Sequence, residues 1–288
     1  MRFDNRRKKF RSILNGDRCV YPGSVFDPIS SRIAEDIGFE VGMFAGSIAS
    51  FTVLGAPDVI VLTLSEFAQQ AQRINRSSEL PLMVDADHGY GNALNVKRTV
   101  EELEMAGVSG MSIEDTELPQ PFGSVGHTKL LSISEGVGKM KAALDGRQDP
   151  NLVIAGRTSA PGVTNIEDAL ERAMAYEKVG VDAIFLVGVK TKEQLEKISN
   201  VISIPIILGG GGSSDLMDLD YLSAKNVRIC LQGHQPFSAA VKAIYDTMKA
   251  LREGTPPDEL QGIASAELMG KVTNKNDYEN MFDKYLNL

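Results

Sequence analysis

Short apolar runs alternate with longer amphipathic ones along most of the chain. Residues 18–21 predict a first strand. Residues 28–37 predict a helix, because Ile29, Ile33 and Ile37 recur at intervals of four. The same reading predicts strands at 40–44, 82–84, 108–113, 152–155, 183–187, 205–208 and 227–231. Between and after them it predicts helices at 64–74, 93–106, 134–144, 166–179, 192–198, near 215–222, and 237–252. That makes eight strand–helix units at a spacing of roughly 30 residues, the size of a βαβ unit. The strand runs are nearly all Val, Ile, Leu and Ala, which suits parallel strands buried on both faces. The expected fold is therefore α/β, a closed (β/α)8 TIM barrel, with a doubly wound open sheet as the alternative. An extra helix at residues 1–14 precedes the first strand. Residues 1–288 read as one domain, with a C-terminal extension from about 256.

Composition narrows the partners. The net charge of −8 argues against nucleic acid and against an anionic membrane surface. It leaves room for an anionic substrate, since a metal ion and a few arginines can dominate a pocket. Cys19 and Cys230 are far apart and form no Cys-x-x-Cys, so a thiolate metal cluster is not expected. The first residues are charged and lack an apolar core, and no apolar run reaches the ~18 residues that span a bilayer. The expected location is cytoplasmic.

In a barrel the chemistry lies at the carboxyl ends of the strands. The unusual polar residues fall there: Ser24 and Asp27 after strand one, Gly46-Ser47-Ile48 and then Asp58 after strand two, and Asp85-Ala86-Asp87-His88-Gly89-Tyr90-Gly91 after strand three. Glu114 and Asp115 follow strand four, Arg157-Thr158 strand five, Gly209–Gly212 strand seven, and Gly233-His234 strand eight. Asp85 and Asp87 alternate about Ala86, so an extended strand end would point both the same way. With Glu114 and Asp58 they make four converging acids, which suit a hard cation with oxygen ligands and retained waters. The alternatives are a helix cap for Asp85 or Asp115 and a basic partner for Glu114. Arg157 offers a planar fork for a substrate carboxylate, or a salt bridge to one of these acids. His234 could orient a carboxylate or move a proton, or be a hydrogen-bonded structural histidine. Gly46-Ser47-Ile48 could offer N–H groups and a hydroxyl to a substrate oxygen, or be a tight turn. Four glycines at 209–212 are a weak phosphate signal and read more simply as a turn.

Asp85-Ala86-Asp87-His88-Gly89-Tyr90-Gly91, with Gly46-Ser47, Ile113-Glu114-Asp115 and Arg157-Thr158, resembles the isocitrate lyase / phosphoenolpyruvate mutase superfamily over nearly the whole chain. Ser24-Val25-Phe26-Asp27-Pro28, Leu64-Ser65-Glu66-Phe67, Gly89-Tyr90-Gly91-Asn92-Ala93-Leu94-Asn95-Val96, Glu135-Gly136-Val137-Gly138-Lys139 and Gly233-His234 look closest to the bacterial oxaloacetate decarboxylases within it. The resemblance implies a 2-oxo acid substrate, Mg²⁺ with Mn²⁺ as the alternative, and a homotetramer that exchanges the eighth helix. It implies Asp85 as the direct metal ligand, with Asp58, Asp87 and Glu114 holding waters on the metal. Ser47, Ile48, Arg157 and His234 would contact substrate, with Arg157 and His234 as the catalytic pair.

Absences bear on the reaction. The carbon–carbon lyases of the superfamily carry a Lys-Lys-Cys-Gly-His loop after strand four. Here Glu117-Leu118-Pro119-Gln120-Pro121-Phe122-Gly123 has no cysteine. A match to the gating loop of the phosphonopyruvate enzymes is also missing. The expected activity is Mg-dependent decarboxylation of oxaloacetate to pyruvate and CO₂ through an enolate. The alternatives are a lyase or hydrolase on another 2-oxo or 2-hydroxy acid, such as a substituted malate, or a non-catalytic barrel that binds oxalate-like ligands. Ser159-Ala160-Pro161-Gly162 and the 209–212 run depart from the decarboxylase pattern near the substrate end.

Overall fold

The computed structural model describes residues 3–124, 126–209 and 216–287, in two compact units, Met1–Gly233 and His234–Leu288. In the first unit, β1 (Gly23–Ser24), β2 (Gly42–Ala45), β3 (Leu82–Asp85), β4 (Gly110–Glu114), β5 (Val153–Thr158), β6 (Ala183–Leu186), β7 (Ile206–Leu208) and β8 (Val227–Cys230) pair in sequence order, all parallel. The ladder then closes. Val20 pairs in parallel with Ile229, its N–H donating to Arg228 O at 2.9 Å and its carbonyl accepting from Cys230 N–H at 3.0 Å. Closure removes both sheet edges, so the barrel rather than the open sheet is the fold. The expected first strand contains the closing residue Val20. It misses β1 itself, because Pro22 and Gly23 interrupt the apolar run.

Helices follow the strands as the periodicity predicts: α2 (Pro28–Asp36), α4 (Leu64–Ser77), α5 (Ala93–Met105), α6 (Ile133–Gly146), α8 (Ile166–Val179), α9 (Lys192–Ser199) and α10 (Leu219–Ala224). Polar caps start them: Asp27, Thr63, Asn92, Ser132, Asn165, Thr191 and Asp218 each accept a backbone N–H of the first turn. Two short helices escaped the pattern, α3 (Gly46–Ala49) and α7 (Ala160–Val163), each directly after a strand. Four residues are too few to show a period.

The barrel interior is filled by Met43, Ala45, Met83, Val153, Ala155, Ala183, Phe185, Ile207 and Ile229. The expected extra helix is α1 (Asp4–Leu14), and it plugs the amino-terminal end of the barrel. Phe10 is fully buried in the same cluster, against the Gly110 backbone, where a Cβ would lie 2.4 Å from the ring. The neighbouring arginines fix the plug. Arg7 donates to Val108 O and Glu104 O at 3.0 and 2.6 Å and pairs with Asp149 at 2.7 Å. Arg6 pairs with Glu79 at 2.9 Å. One end of the barrel is thereby sealed, which leaves the carboxyl ends of the strands for chemistry.

The second unit holds α11 (Gln235–Arg252), a 3₁₀ turn at Pro257–Glu259, α12 (Ala266–Val272) and α13 (Lys275–Tyr285). It starts at His234. No residue of α11 is buried. No helix among the described residues is long and apolar enough to cross a membrane. Of the glycine run, residues 210–212 lie outside the described residues.

Candidate active site

Register builds the site in two layers. Ala45, Asp85, Ser112, Ala155 and Ala183 are lateral neighbours on five adjacent strands. Lateral neighbours in a parallel sheet share a face, and the three alanines belong to the inward cluster. Asp85 and Ser112 are therefore polar groups in a layer of small residues, with room above them. Glu114, Arg157 and Phe185 are neighbours one layer higher.

Ser112 Oγ donates to Asp85 Oδ1 at 2.8 Å. Arg157 forks between two acids: Nη1 pairs with Asp85 Oδ2, and Nη2 lies 3.2 Å from Glu114 Oε2. Its guanidinium also sits 5.5 Å from the centroid of the Phe185 ring. Of the two roles open to Arg157 in the sequence, the structure displays the salt bridge. Glu114 likewise has its basic partner. Neither Asp85 nor Asp115 caps a helix. Asp115 turns away to Arg172 at 2.9 Å and Tyr176 Oη at 2.6 Å, a buried structural network.

Asp87 reaches this cluster by a different route from the one its spacing suggests. β3 ends at Asp85, and Asp87 has φ 48°, so the strand does not continue through it. Gly89, Tyr90 and Gly91 follow at φ 76°, 59° and 149°. Such a run of left-handed residues is strained and persists only where surroundings hold it. The Asp87 carboxyl then lies against the Gly46 backbone, where a Cβ would meet Oδ2 at 2.2 Å. A side chain at 46 would therefore displace the Asp87 carboxyl. The left-handed bend, rather than strand alternation, brings the Asp87 carboxyl within reach of the charges of Asp85 and Glu114.

The electrostatics follow from burial. Burial, then the charges of Asp85, Glu114 and Asp58, push the Asp87 carboxyl well above its ordinary range, with Arg157 opposing. Burial also raises Glu114, opposed by Arg157. Asp58 stands on the exposed rim. Partial enclosure and then the Asp85 charge raise it, while Arg157 lowers it. Burial works against the Arg157 charge, but Asp85 and Glu114 outweigh it and hold its pKa above the ordinary value. One guanidinium therefore answers several carboxylates.

Among the described residues no three His, Cys, Asp or Glu side chains form a ready-made cage. A small hard cation can also bind through one or two carboxylates and keep several waters, so the fit rests on the carboxylates present. Several clustered carboxyl groups sharing one guanidinium are the feature that such a cation would suit. Asp85, Asp87 and Glu114 are the residues that could hold it, with Asp58 at the rim. Ser47 and Ile48 lie in α3, immediately beside Gly46, with Ile48 buried and Ser47 partly so. The first N–H groups of that turn have no partner within it. His234 belongs to the second unit, as the residue before α11.

A profile of the phosphoenolpyruvate phosphomutase family matches residues 10–252. The chain belongs to this family. A relative from Rhodopseudomonas palustris (strain BisB18), named oxaloacetate decarboxylase, is 59% identical, covering 95% of this chain and 94% of its own. One of the same name from Bradyrhizobium diazoefficiens is 57% identical, covering 94% of each. Among solved structures, an oxaloacetate acetylhydrolase in complex with 3,3-difluorooxalacetate superposes with a TM-score of 0.84 at 28% identity, covering 96% of each chain. A phosphonopyruvate hydrolase complexed with oxalate and Mg²⁺ gives 0.85 at 25%, covering 98% of this chain and 99% of its own.

Sequence reasoning gave no role to two polar residues that bond to the loop and strand end carrying Asp85 and His88. Ser112 interrupts an apolar strand at a position facing Asp85. Lys139 occupies the apolar face of α6 beside Gly136, Met140 and Ala143, all buried. A lone polar residue on a buried face was the available signal in both cases.

Proposed function

We propose that the protein decarboxylates oxaloacetate to pyruvate and CO₂ with a divalent cation, Mg²⁺ or Mn²⁺, held at Asp85. The observation that carries this reading is the knot of Asp85, Asp87 and Glu114 about Arg157 at the barrel mouth. The names of relatives at 52–59% identity support the choice of substrate.

Asp85 is fixed by Ser112, so its carboxylate keeps one orientation as a ligand. Asp87 and Glu114, with Asp58 at the rim, would hold the waters that such a cation keeps. A bound divalent cation supplies Lewis acidity that stabilises the negative charge developing on the 2-oxo oxygen as CO₂ leaves. Arg157 would hold a substrate carboxylate through its planar guanidinium, with the N–H groups and hydroxyl at Ser47 and Ile48 beside it. The family resemblance would add His234 as the residue that orients the departing carboxylate. A proton from water completes pyruvate, so one oxaloacetate and one proton give one pyruvate and one CO₂.

Neither thiol competes as an acid–base group. Burial first pushes Cys19 up to about 12 and Cys230 up to about 11. The Cys230 Sγ faces the Leu216 carbonyl at 3.9 Å. The reading includes a cytoplasmic location, supported by these two free thiols. It also includes a homotetramer, supported by Val241, Ile244, Tyr245 and Met248, all solvent-exposed on α11 in the single chain.

Product analysis tests the reaction. Oxaloacetate supplied with Mg²⁺ should yield pyruvate and CO₂ in equal amounts and no oxalate. Formation of oxalate and acetate, or turnover only of substituted malates or phosphonopyruvate, would replace the decarboxylase reading with a hydrolase or another lyase. Saturable oxalate binding without turnover of any 2-oxo acid would point to a binding barrel.

A further inference from the structure

Three successive carbonyls of the loop after β3 are each taken by a donor from a different element. Asp87 O accepts from Glu114 N–H, in β4, at 2.8 Å. His88 O accepts from Lys139 Nζ, in α6, at 2.7 Å. Gly89 O accepts from Thr99 Oγ1, in α5, at 3.0 Å. The segment they grip is the left-handed one, with Asp87 and Tyr90 at φ 48° and 59°. Residues other than glycine seldom hold that conformation without support. Asp87 reaches the acid cluster only because the chain bends there.

Lys139 is the unexpected member. It is 3% exposed, on a helix face that otherwise buries Gly136, Met140 and Ala143. Burying an ammonium group is costly unless it is paired or hydrogen-bonded. Yet among the described residues its hydrogen bond goes to a neutral carbonyl, with the charges of Glu135, Glu114 and Asp115 acting on it only at longer range. A methionine would fill the same space without that cost. The charged donor is thus spent on one loop carbonyl, the one directly after Asp87.

We infer that Lys139 is a positioning residue for cation binding: its hydrogen bond to the His88 carbonyl holds the bent loop, and with it the Asp87 carboxylate, in the geometry that receives the metal. Thr99 does the same one residue further on. The inference rests on the proposed metal reading, and its test separates the two.

Chelator-treated wild-type, Lys139→Met and Thr99→Val proteins are titrated with Mn²⁺, free ion being read by electron paramagnetic resonance, and each is melted in parallel. Lys139→Met should weaken Mn²⁺ binding ~10–100-fold, the loss typical of removing a group that orients a metal ligand. At saturating Mn²⁺ its kcat should recover more fully than its apparent metal affinity. A purely structural lysine would lower the melting temperature and leave the Mn²⁺ dissociation constant alone. Wild-type affinity in a folded Lys139→Met protein overturns the inference. Should that variant fail to fold, Thr99→Val decides: weakened binding supports the clamp, and unchanged binding overturns it. A wild-type protein that binds no Mn²⁺ sinks the metal reading itself, before any variant is compared.

Discussion

Gly46→Ala separates folding from function at a single methyl group. Gly46 is not among the residues at positive φ, so its backbone accepts alanine. At the start of α3 alanine should gain up to ~1 kcal/mol over glycine. The new Cβ, however, would lie 2.2 Å from Asp87 Oδ2, 2.6 Å from Oδ1 and 2.7 Å from Cγ. Ordinary contact begins near 3.4 Å, so the carboxylate must retreat by about 1.2 Å. Its backbone cannot follow freely, because the Asp87 carbonyl is bonded to Glu114 N–H at 2.8 Å. Rotation of a short side chain must absorb the whole shift. A misplacement of about 1 Å in a catalytic constellation can cost ~10²-fold, equivalent to ~2.7 kcal/mol of barrel-mouth chemistry. We expect kcat/KM for oxaloacetate at fixed Mg²⁺ to fall ~10²-fold while chemical unfolding shifts by less than ~1 kcal/mol. The assays are pyruvate release, coupled to lactate dehydrogenase, and urea unfolding followed by circular dichroism. A variant within about threefold of wild type in kcat/KM would refute the reasoning that Asp87 must stand against Gly46.

Arg157→Met leaves Asp85 and Glu114 buried without their cation, so the metal-free protein should lose ~3–5 kcal/mol. Saturating Mg²⁺ should return much of that loss, and equal destabilisation in EDTA and in Mg²⁺ would count against a shared cation site. Asp149→Asn tests the plug at the other end. Burial pushes the Asp149 carboxyl up, but hydrogen bonds from Arg7 and the Asn151 amide outweigh it and hold the group below its ordinary 3.8. A depressed carboxylate stabilises the fold above the unfolded value and loses that contribution as pH falls through the folded one. The variant should therefore be weaker at neutral pH by ~3 kcal/mol and show a flatter acid-unfolding limb below about pH 4. An acid limb parallel to wild type would contradict this. Phe10→Ala should cost ~3–5 kcal/mol in urea unfolding, yet leave kcat/KM unchanged well below the melting temperature, since Phe10 seals the end opposite the site.

The barrel was legible because its strands are short apolar runs and its helices carry caps and a clear period. α8 runs over Ile166–Val179 as the pattern predicts. The edges of β1 were not, because two residues that pair with β2 leave no periodic trace. α12 and α13 lay in a stretch whose apolar positions are exposed in the single chain, among them Leu268, Met281 and Phe282. In the site, strand-end placement singled out Asp85, Glu114 and Arg157. Their convergence follows from register, which sequence order alone implies once a parallel barrel is assumed. Asp87 was found for a reason the backbone does not support. Period-two alternation holds only while a strand is extended, and the chain turns left-handed one residue after Ala86. Lys139, named only within a family-like stretch, and Ser112 were given no role because a single polar residue on a buried face looks like an irregularity until its partner is known.

The most direct measurement of the central claim is pyruvate formation from oxaloacetate by chelator-treated enzyme, before and after Mg²⁺ is restored, with Asp85→Asn alongside. The account predicts a wild-type rate that falls to the enzyme-free background in EDTA and returns with Mg²⁺, and an Asp85→Asn protein that folds but does not recover. A wild-type rate indifferent to EDTA, or one no faster than Mg²⁺ alone, would contradict it.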